Sequence, residues 1–420
     1  MIKCVFVSCL MGMMFACKAS VCVPKLLQKN ELTAYIVRSH ETLLAQNAVA
    51  LASADKLAAD RAPYPNVSLK SGSMDLHNGL GPGSPLNKRI DKGVGLDMTY
   101  ERGNKRALRT QNAEDLIKAA EFDREDSGVT QEMNATAAYF DLAAAQARRT
   151  QLSLLADSAK AFADLNNSRL KLGDISAQDA ARADIEYQKA LVDVTQADLE
   201  IERASVALSA IINAVACPAS WVAEQSWAST AVAGEGYHLQ ERPDIRAAHA
   251  RVQASDSGVA VAEAQKLADI SYGVSYDHFP GNSKALIELR VSMPLQGLKW
   301  LGGYQQEGEI ARAQALKTQA QIMRDRQVHL ATLEKIKYEQ ERSALAAKLS
   351  RYQTLIMPAQ EQVVRIAEQA YRLGGIALTE LLETKRQLRT LALDTLNTQA
   401  ELAKLDALAH LRFTTKTARK

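Results

Sequence analysis

The sequence predicts a mainly α-helical protein with a small β part, built from two tandem copies of a unit in which very long helices flank a short β-hairpin. Three observations carry this prediction. Leu172-Gly173-Asp174-Ile175-Ser176 is echoed by Leu373-Gly374-Gly375-Ile376-Ala377, 201 residues later, and Pro65-Asn66-Val67-Ser68-Leu69 corresponds to Ile270-Ser271-Tyr272-Gly273-Val274, 205 residues later. Agreement at two distant points argues for duplication. Between 105 and 171 no proline and one glycine, Gly128, interrupt a helical pattern. Alternating segments at 66–74 and 93–101 flank a Gly/Pro-rich run, as the strands of a hairpin do.

The elements follow in chain order. Lys3, an apolar core over 5–16 and the small-residue stretch Cys17-Lys18-Ala19 read as an export leader occupying 1–22. Its core is too short to span a bilayer. Of the five cysteines, Cys4, Cys9, Cys17 and Cys22 lie in or beside this leader, which leaves Cys217 without a disulfide partner in the body. Cys17 or Cys22 is an alternative lipid-attachment site, although Phe15 and Val21 fit that pattern poorly. The first unit spans 23–213: a helix over 31–61 ended by Pro63 and Pro65, a hairpin at about 66–101, the long helix 105–171, a tip at 172–176 and a helix from 177 onward. Pro218, Gly234 and Gly236 mark a linker over 214–242. The second unit, 243–413, repeats the order with a helix over 243–268, strands at 270–278 and 285–293, an unbroken helix over 304–372, a tip at 373–377 and a helix over 378–412. Residues 414–420 form a tail.

Each long helix is roughly 100 Å at 1.5 Å per residue, and a helix of that length needs a partner throughout. In the first unit the helices before the hairpin and after the tip, stacked end to end, match the long one, so a two-layer rod is expected. The rows Val364, Ala367, Tyr371 and Leu388, Leu391, Thr395, Leu402 supply its apolar seam. Four strands cannot close a barrel alone, so two, three or four copies, giving 8, 12 or 16 strands, are implied.

Composition narrows the function. Aromatic residues are 5% and charged residues 24% of the chain, the mixture of long solvated helices, and 51 basic against 48 acidic residues leave +3 with no basic stripe, which excludes nucleic acid as a partner. Catalytic signatures are absent: His40-Glu41 is followed by Leu44 where a zinc-protease helix needs His, Gly81-Pro82-Gly83 lacks the setting of a phosphate loop, and no Cys or His pair has metal-ligand spacing. Neither enzyme activity nor a cofactor is expected. Tyr64, Tyr100, Tyr272, Tyr276, Phe279 and Trp300 cluster around the strands of a chain otherwise poor in aromatics, the pattern of an interfacial girdle against membrane lipid, although strand propensity also enriches tyrosine.

The duplicated helix, hairpin, long helix, tip and helix, the tip sequences at Leu172-Gly173 and Leu373-Gly374, and Met293-Pro294-Leu295 leading into Gly302-Gly303 together resemble the TolC family of outer-membrane efflux proteins across essentially the whole mature chain. The resemblance implies a homotrimer with a twelve-stranded outer-membrane barrel continuing into a twelve-helix periplasmic tunnel. Its partners would be a periplasmic adaptor docking on the tips (Leu172, Gly173, Ile175, Ser176, Leu373, Gly374, Gly375, Ile376 and Ala377) and an inner-membrane pump. Glu101-Arg102-Gly103-Asn104-Lys105-Arg106 looks like the Glu, Gly, Gly, Lys, Arg signature of heavy-metal efflux subunits, with Asn104 in place of the second glycine; it favours metal cations over drugs as cargo. Glu380 and Glu383 match the paired aspartates that ring the family's periplasmic aperture, where threefold symmetry would gather six carboxylates. The equivalent first-unit positions are Asp179 and Arg182, and Arg182 is a candidate latch to a neighbouring carboxylate. Competing functions are type I protein secretion on the same architecture and, in another class, a periplasmic coiled-coil scaffold, which would need no amphipathic hairpins.

Overall fold

The computed structural model describes residues 25–28, 31–72, 91–214, 221–224, 227, 238–278, 285–294 and 305–414. The expected leader with its cysteines, Cys217, the loop residues 73–88 and 280–284, Phe279, Trp300, Gly302-Gly303 and residues 415–420 lie outside this set.

Two units of like order follow one another. The first comprises β1 (Lys25–Leu27), α1 (Leu32–Ile36), α2 (His40–Ala59), β2 (Asn66–Gly72), β3 (Asp91–Tyr100), α3 (Lys105–Lys171), α4 (Ala177–Ile211) and β4 (Trp221–Ala223). The second comprises α5 (Pro243–Ala264), β5 (Ile270–His278), β6 (Leu286–Ser292), α6 (Glu307–Arg351), α7 (Met357–Arg372) and α8 (Leu378–Phe413).

Two helices differ from the sequence expectation. Over 31–61 the chain makes α1 and α2 instead of one helix, because Ser39 takes extended backbone (ψ 150°) and its hydroxyl accepts the Thr42 amide at 3.3 Å, capping α2. The helix expected to run unbroken over 304–372 passes through a π turn at Tyr352–Ile356, where the Met357 amide donates to the Tyr352 carbonyl five residues back. Pro358, in the first turn of α7, has no N–H, and its ring would crowd the carbonyl four residues earlier, so the widened turn accommodates it. α3 contains no proline and stays α-helical for 67 residues.

Long helices are stabilised by packing along their length. α2 and α4 both pack on α3, and their adjoining ends meet where the Asn213 amide lies 3.5 Å from His40 Nε2. In the second unit Arg412, near the end of α8, donates to Asp244 at the start of α5 at 2.8 Å. Both units thus show the end-to-end stacking that their helix lengths demand. α5 packs on α3 and on α6, which gives the helix order α2, α3, α5, α6. The antiparallel sheet has the order β2, β3, β5, β6, and the two hairpins join through β3 and β5, from Tyr100 opposite Ile270 to Lys92 opposite His278. Helical layer and sheet therefore end on matching elements: α2 and β2 at one side, α6 and β6 at the other.

A second, parallel sheet pairs β1, at the start of the first unit, with β4, in the stretch that the sequence marks as linker; at three residues each, its strands are too short to show an alternation. It seals the main core midway along α3, where Leu27, Leu32, Ile36, Tyr139, Leu142, Leu208 and Trp221 are buried together. Gln146 donates to the Trp221 carbonyl (2.8 Å) and accepts the Ala223 amide (3.0 Å), while the Trp221 indole donates to Ser209 Oγ (2.8 Å). Backbone that would otherwise be buried without partners is thereby satisfied. Nearer α5, Arg242 grips Asp244 through two bonds (3.1 and 2.8 Å) and reaches Glu334 (2.9 Å), and Arg412 bridges Asp244 and Asp126 (2.8 Å each). Burial pushes the Asp126 carboxyl up despite Arg412. Burial acts on Asp244 too, but there the bonds from Arg242 and the field of Arg412 win and hold it low. This network ties α3, α5, α6 and α8 at one level.

Candidate functional site

The chain reverses at two tips of identical backbone design. After α3, Gly173 takes φ +80°, its amide donates to the Leu170 carbonyl (2.9 Å), and the Asp174 amide donates to Arg169 (3.0 Å). After α7, Gly374 takes φ +74°, its amide donates to Tyr371 (3.1 Å), and the Gly375 amide donates to Ala370 (2.8 Å). Each is a Schellman cap, which needs one left-handed residue and recruits orphan carbonyls of the last turn. Gly375, beside Gly374 in the tip sequence, has no positive φ; it occupies the place of Asp174. The tips differ at the next helix start. Ser176 caps α4 by accepting the Asp179 amide (3.1 Å) and donating to the Asp179 carboxylate (2.8 Å), whereas Ala377 offers α8 no side chain. Leu172 and Leu373 stand out at 78% and 87% exposure, with Ile175 half-buried and Ile376 packed beneath on Tyr371, Leu378, Leu381 and Leu382. Two bared leucines at the reversals are available for contact.

Above the tips the two units are stitched together by residues that the sequence reads only as seam or surface. The Tyr371 phenol donates to Asn166 Oδ1 at 2.7 Å. The Asn166 amide in turn donates to the Phe162 carbonyl (2.8 Å), so this wholly buried side chain is satisfied. The Arg169 guanidinium lies 5.4 Å from the Tyr371 ring centroid, and the Lys385 ammonium 4.8 Å from that of Phe162. Burial pushes the Tyr371 phenol up. One helical step further, Arg386 and Arg389 of α8 pair with Glu186 and Asp193 of α4. Bonds from Arg386 hold the Glu186 carboxyl low. The seam borders a partly open cavity of about 190 Å³ lined by Phe162, Glu186, Val364, Leu382, Lys385 and Arg389, among others. A polar residue every few turns on an Ala-rich helix was the available signal; which of them faces the other unit was not readable.

Glu380 and Glu383 are both exposed on α8. Glu383 lies 3.5 Å from Arg386, whose main partner is Glu186. Asp179 and Arg182 pair with each other at 3.6 Å, so within one chain the candidate latch is spent on its own helix.

At the junction of sheet and α3 the motif at 101–106 is fully engaged. Glu101 takes Arg109 in a two-pronged pair (2.5 and 3.1 Å), Lys105 is buried and bonds Asp269 (2.7 Å), and Arg106 bonds Asp60 (3.0 Å). Gly103 has φ +73°, and a Cβ there would lie 2.8 Å from Leu267 Cδ1. Asn104 has φ 53°, which explains why a second glycine is the expectation at this place and why asparagine can stand in for it. Gln306 starts α6 with φ 60°, repeating the device in the second unit.

The four-stranded sheet is amphipathic. Its register puts Val67, Leu69, Val94, Leu96, Met98, Tyr100, Ile270, Tyr272, Val274, Tyr276, Ile287, Leu289 and Val291 on one face. The other face carries Ser68, Gly93, Gly95, Asp97, Gly273, Ser275, Asp277, Glu288 and Arg290. Leu69, Leu289 and Val291 are 84%, 79% and 74% exposed, so the apolar face has no cover among the described residues. Tyr100, Tyr272 and Tyr276 lie on it, and Tyr64 is exposed just before β2. Among the described residues no helix is long and apolar enough to cross a membrane, and no group of three or more His, Cys, Asp or Glu side chains is placed to hold a metal ion.

No family model and no curated protein matches this sequence. Its shape does match solved structures. CusC, whose crystal structures address folding and transmembrane channel formation, superposes with a TM-score of 0.76 at 15% identity, covering 92% of both chains. The outer membrane protein VceC of Vibrio cholerae gives 0.74 at 19% identity, over 92% of this chain and 96% of that one. The open state of the MtrE outer membrane channel of Neisseria gonorrhoeae gives 0.73 at 16% identity, over 91% and 88%. The chain therefore has the TolC-type fold of these outer membrane channels.

Proposed function

We propose that this protein is the outer-membrane exit duct of a tripartite efflux system, working as a homotrimer with a periplasmic adaptor and an inner-membrane pump and performing no catalysis of its own. The observation that carries the proposal is the bare apolar face of the sheet. A face of that size exposed to water would aggregate, whereas in a bilayer it is solvated by lipid. Sheet and helices end on matching edges, and both edges are open: β2 and β6 lack outer partners among the described strands, and α2 and α6 bare Leu44, Leu51 and Leu57, and Leu316, Ile322 and Met323. One rotation that joins β6 of a copy to β2 of the next also joins α6 to α2, so barrel and tunnel close together. Three copies give twelve strands. Tyr64, Tyr100, Tyr272 and Tyr276 then serve as headgroup-level anchors, and the helical part stands in the periplasm.

The tips are the proposed adaptor contact and the aperture. Leu172 and Leu373 offer apolar anchors, and Glu380 and Glu383, repeated by symmetry, form a carboxylate ring that attracts cations. Heavy-metal cations rank ahead of drugs as cargo on the motif at 101–106. The test is extraction and reconstitution. A heat-resistant, detergent-extracted trimer that conducts in planar bilayers supports the duct, with Glu380→Gln/Glu383→Gln lowering cation selectivity; a soluble elongated dimer overturns it in favour of a scaffold.

A further inference from the structure

The apolar face of the sheet changes character at one end. By the alternation that puts Val94, Leu96, Met98 and Tyr100 on that face, Lys92 stands on it too, opposite Ser71 of β2 on one side and His278 of β5 on the other. A hydroxyl, an ammonium and an imidazole thus follow one another across three adjacent strands, one step beyond Leu69, Val94 and Tyr276. Neighbouring strands lie about 4.8 Å apart, so the row is about 10 Å wide. The carboxylates nearest in register, Asp91 and Asp277, belong to the opposite face, where Asp277 lies 3.7 Å from Lys70.

The Lys92 ammonium is screened from water yet has no hydrogen-bond partner among the described residues. A charge in that condition is costly, because it has lost hydration and gained nothing for it. Lys105, also buried, shows the usual remedy: it bonds Asp269 at 2.7 Å. An anion from outside the chain would serve Lys92 in the same way, with the Ser71 hydroxyl and the His278 ring at hand as further donors.

The place of the row on the sheet says which anion. From Lys92 to Tyr100 the strand is about 27 Å long at about 3.4 Å per residue. Tilted by about 40° in a barrel, it spans about 21 Å along the membrane normal, which approaches the apolar band of about 25 Å. Tyr100 leads into α3 and so marks the helical side, which puts Lys92 at the far interface. A lysine on a lipid-facing strand is tolerated there and not at the midplane, since its stem lies on apolar surface while the ammonium reaches headgroup level. The group met at that depth is a lipid phosphate.

We infer that Ser71, Lys92 and His278 form a site on the lipid-facing rim for the phosphate of an outer-leaflet lipid, one in each copy of the chain. The inference rests on the duct reading above. Native mass spectrometry of the detergent-extracted full-length trimer tests it first without a variant: added diphosphoryl lipid A should bind about fivefold or more tightly than the same lipid stripped of its phosphates. Equal binding overturns the site, and displacement of the lipid by equimolar inorganic phosphate overturns it in favour of the free ion. Lys92→Gln should erase the preference, Lys92→Arg should keep it, and Lys70→Gln, on the opposite face, should leave it unaltered. An undiminished preference in Lys92→Gln also overturns the site. A trimer that conducts in bilayers but shows no preference leaves the duct reading standing, whereas a soluble chain that never requires detergent removes both.

Discussion

Tyr371 of the second unit donates its phenol proton to Asn166 of the first across 2.7 Å, and Asn166 has no exposed surface. A bond of this kind is worth little when made and much when half removed, because the abandoned partner stays buried without water. Tyr371→Phe should therefore cost about 1–3 kcal/mol of the tip's stability. Asn166→Leu combined with Tyr371→Phe should recover part of that loss, since neither polar group is then stranded. Local hydrogen exchange over 162–171 and 364–373 reads both effects, and an unchanged Tyr371→Phe would show that water replaces the phenol.

The pair of Glu186 and Arg386 makes the same seam sensitive to acid. Arg386 holds the Glu186 carboxyl below its ordinary value, so the folded state binds its proton less readily than the unfolded chain. The contribution is complete above the unfolded glutamate value, about 4.3, and is lost as pH falls through the lower folded value. Tip protection should thus weaken below about pH 4, and Glu186→Gln should show the weakened state already at neutral pH with that acid step missing. Exchange measured at matched chemical rates separates the two chains.

The tip glycines should not respond alike. Gly173→Ala and Gly374→Ala each force a side chain into left-handed backbone and should cost about 1–2 kcal/mol. Gly375→Ala should cost clearly less, since its φ is ordinary and the added methyl meets the Ala370 carbonyl at 3.4 Å. Thermal unfolding of the three variants orders them.

In the sheet, Gly93 and Gly273 lie directly opposite Asp277 and Asp97, and each aspartate folds over its glycine, 2.1 Å from where a Cβ would be. Gly93→Ala or Gly273→Ala should displace that carboxylate, disturbing Lys70 by Asp277 or Arg290 by Asp97 (3.7 Å each), and lower the yield of detergent-resistant oligomer severalfold. Gly72→Ala, which meets nothing within 4 Å, is the control. Adding Asp277→Ala to Gly93→Ala should restore the yield, because the methyl then has room.

Much of this architecture was legible because periodicity and punctuation are local. Pro63 and Pro65 ended one helix, Gly173 and Gly374 marked the two reversals, and the alternation from Ile270 to His278 matched β5 to the residue. Pro358 was equally visible and, deep inside the helix expected over 304–372, is a mark of a break or kink that the expectation of an unbroken helix passed over; hydrogen bonds across five residues show the π turn that takes it. Ser39 likewise looked like an ordinary helix residue until its backbone turned out extended. Of the candidate site, the tips came from sequence, whereas Asn166, Glu186 and Arg386 carried no local mark that distinguished them from solvated polar residues.

The sequence by itself determined the two-fold repetition, the element order, the places of reversal and the amphipathic strands, because each depends on residues within a few turns of one another. The tertiary structure alone decided which faces meet. That β3 pairs with β5, that α5 lies between α3 and α6, and that Tyr371 finds Asn166 are contacts between positions far apart in the numbering, 83 residues for Gln327 and Asp244 and 205 for Tyr371 and Asn166. They arise from how two nearly equivalent rods pack, a choice settled by the combined burial of many alanines and leucines rather than by any one residue's preference.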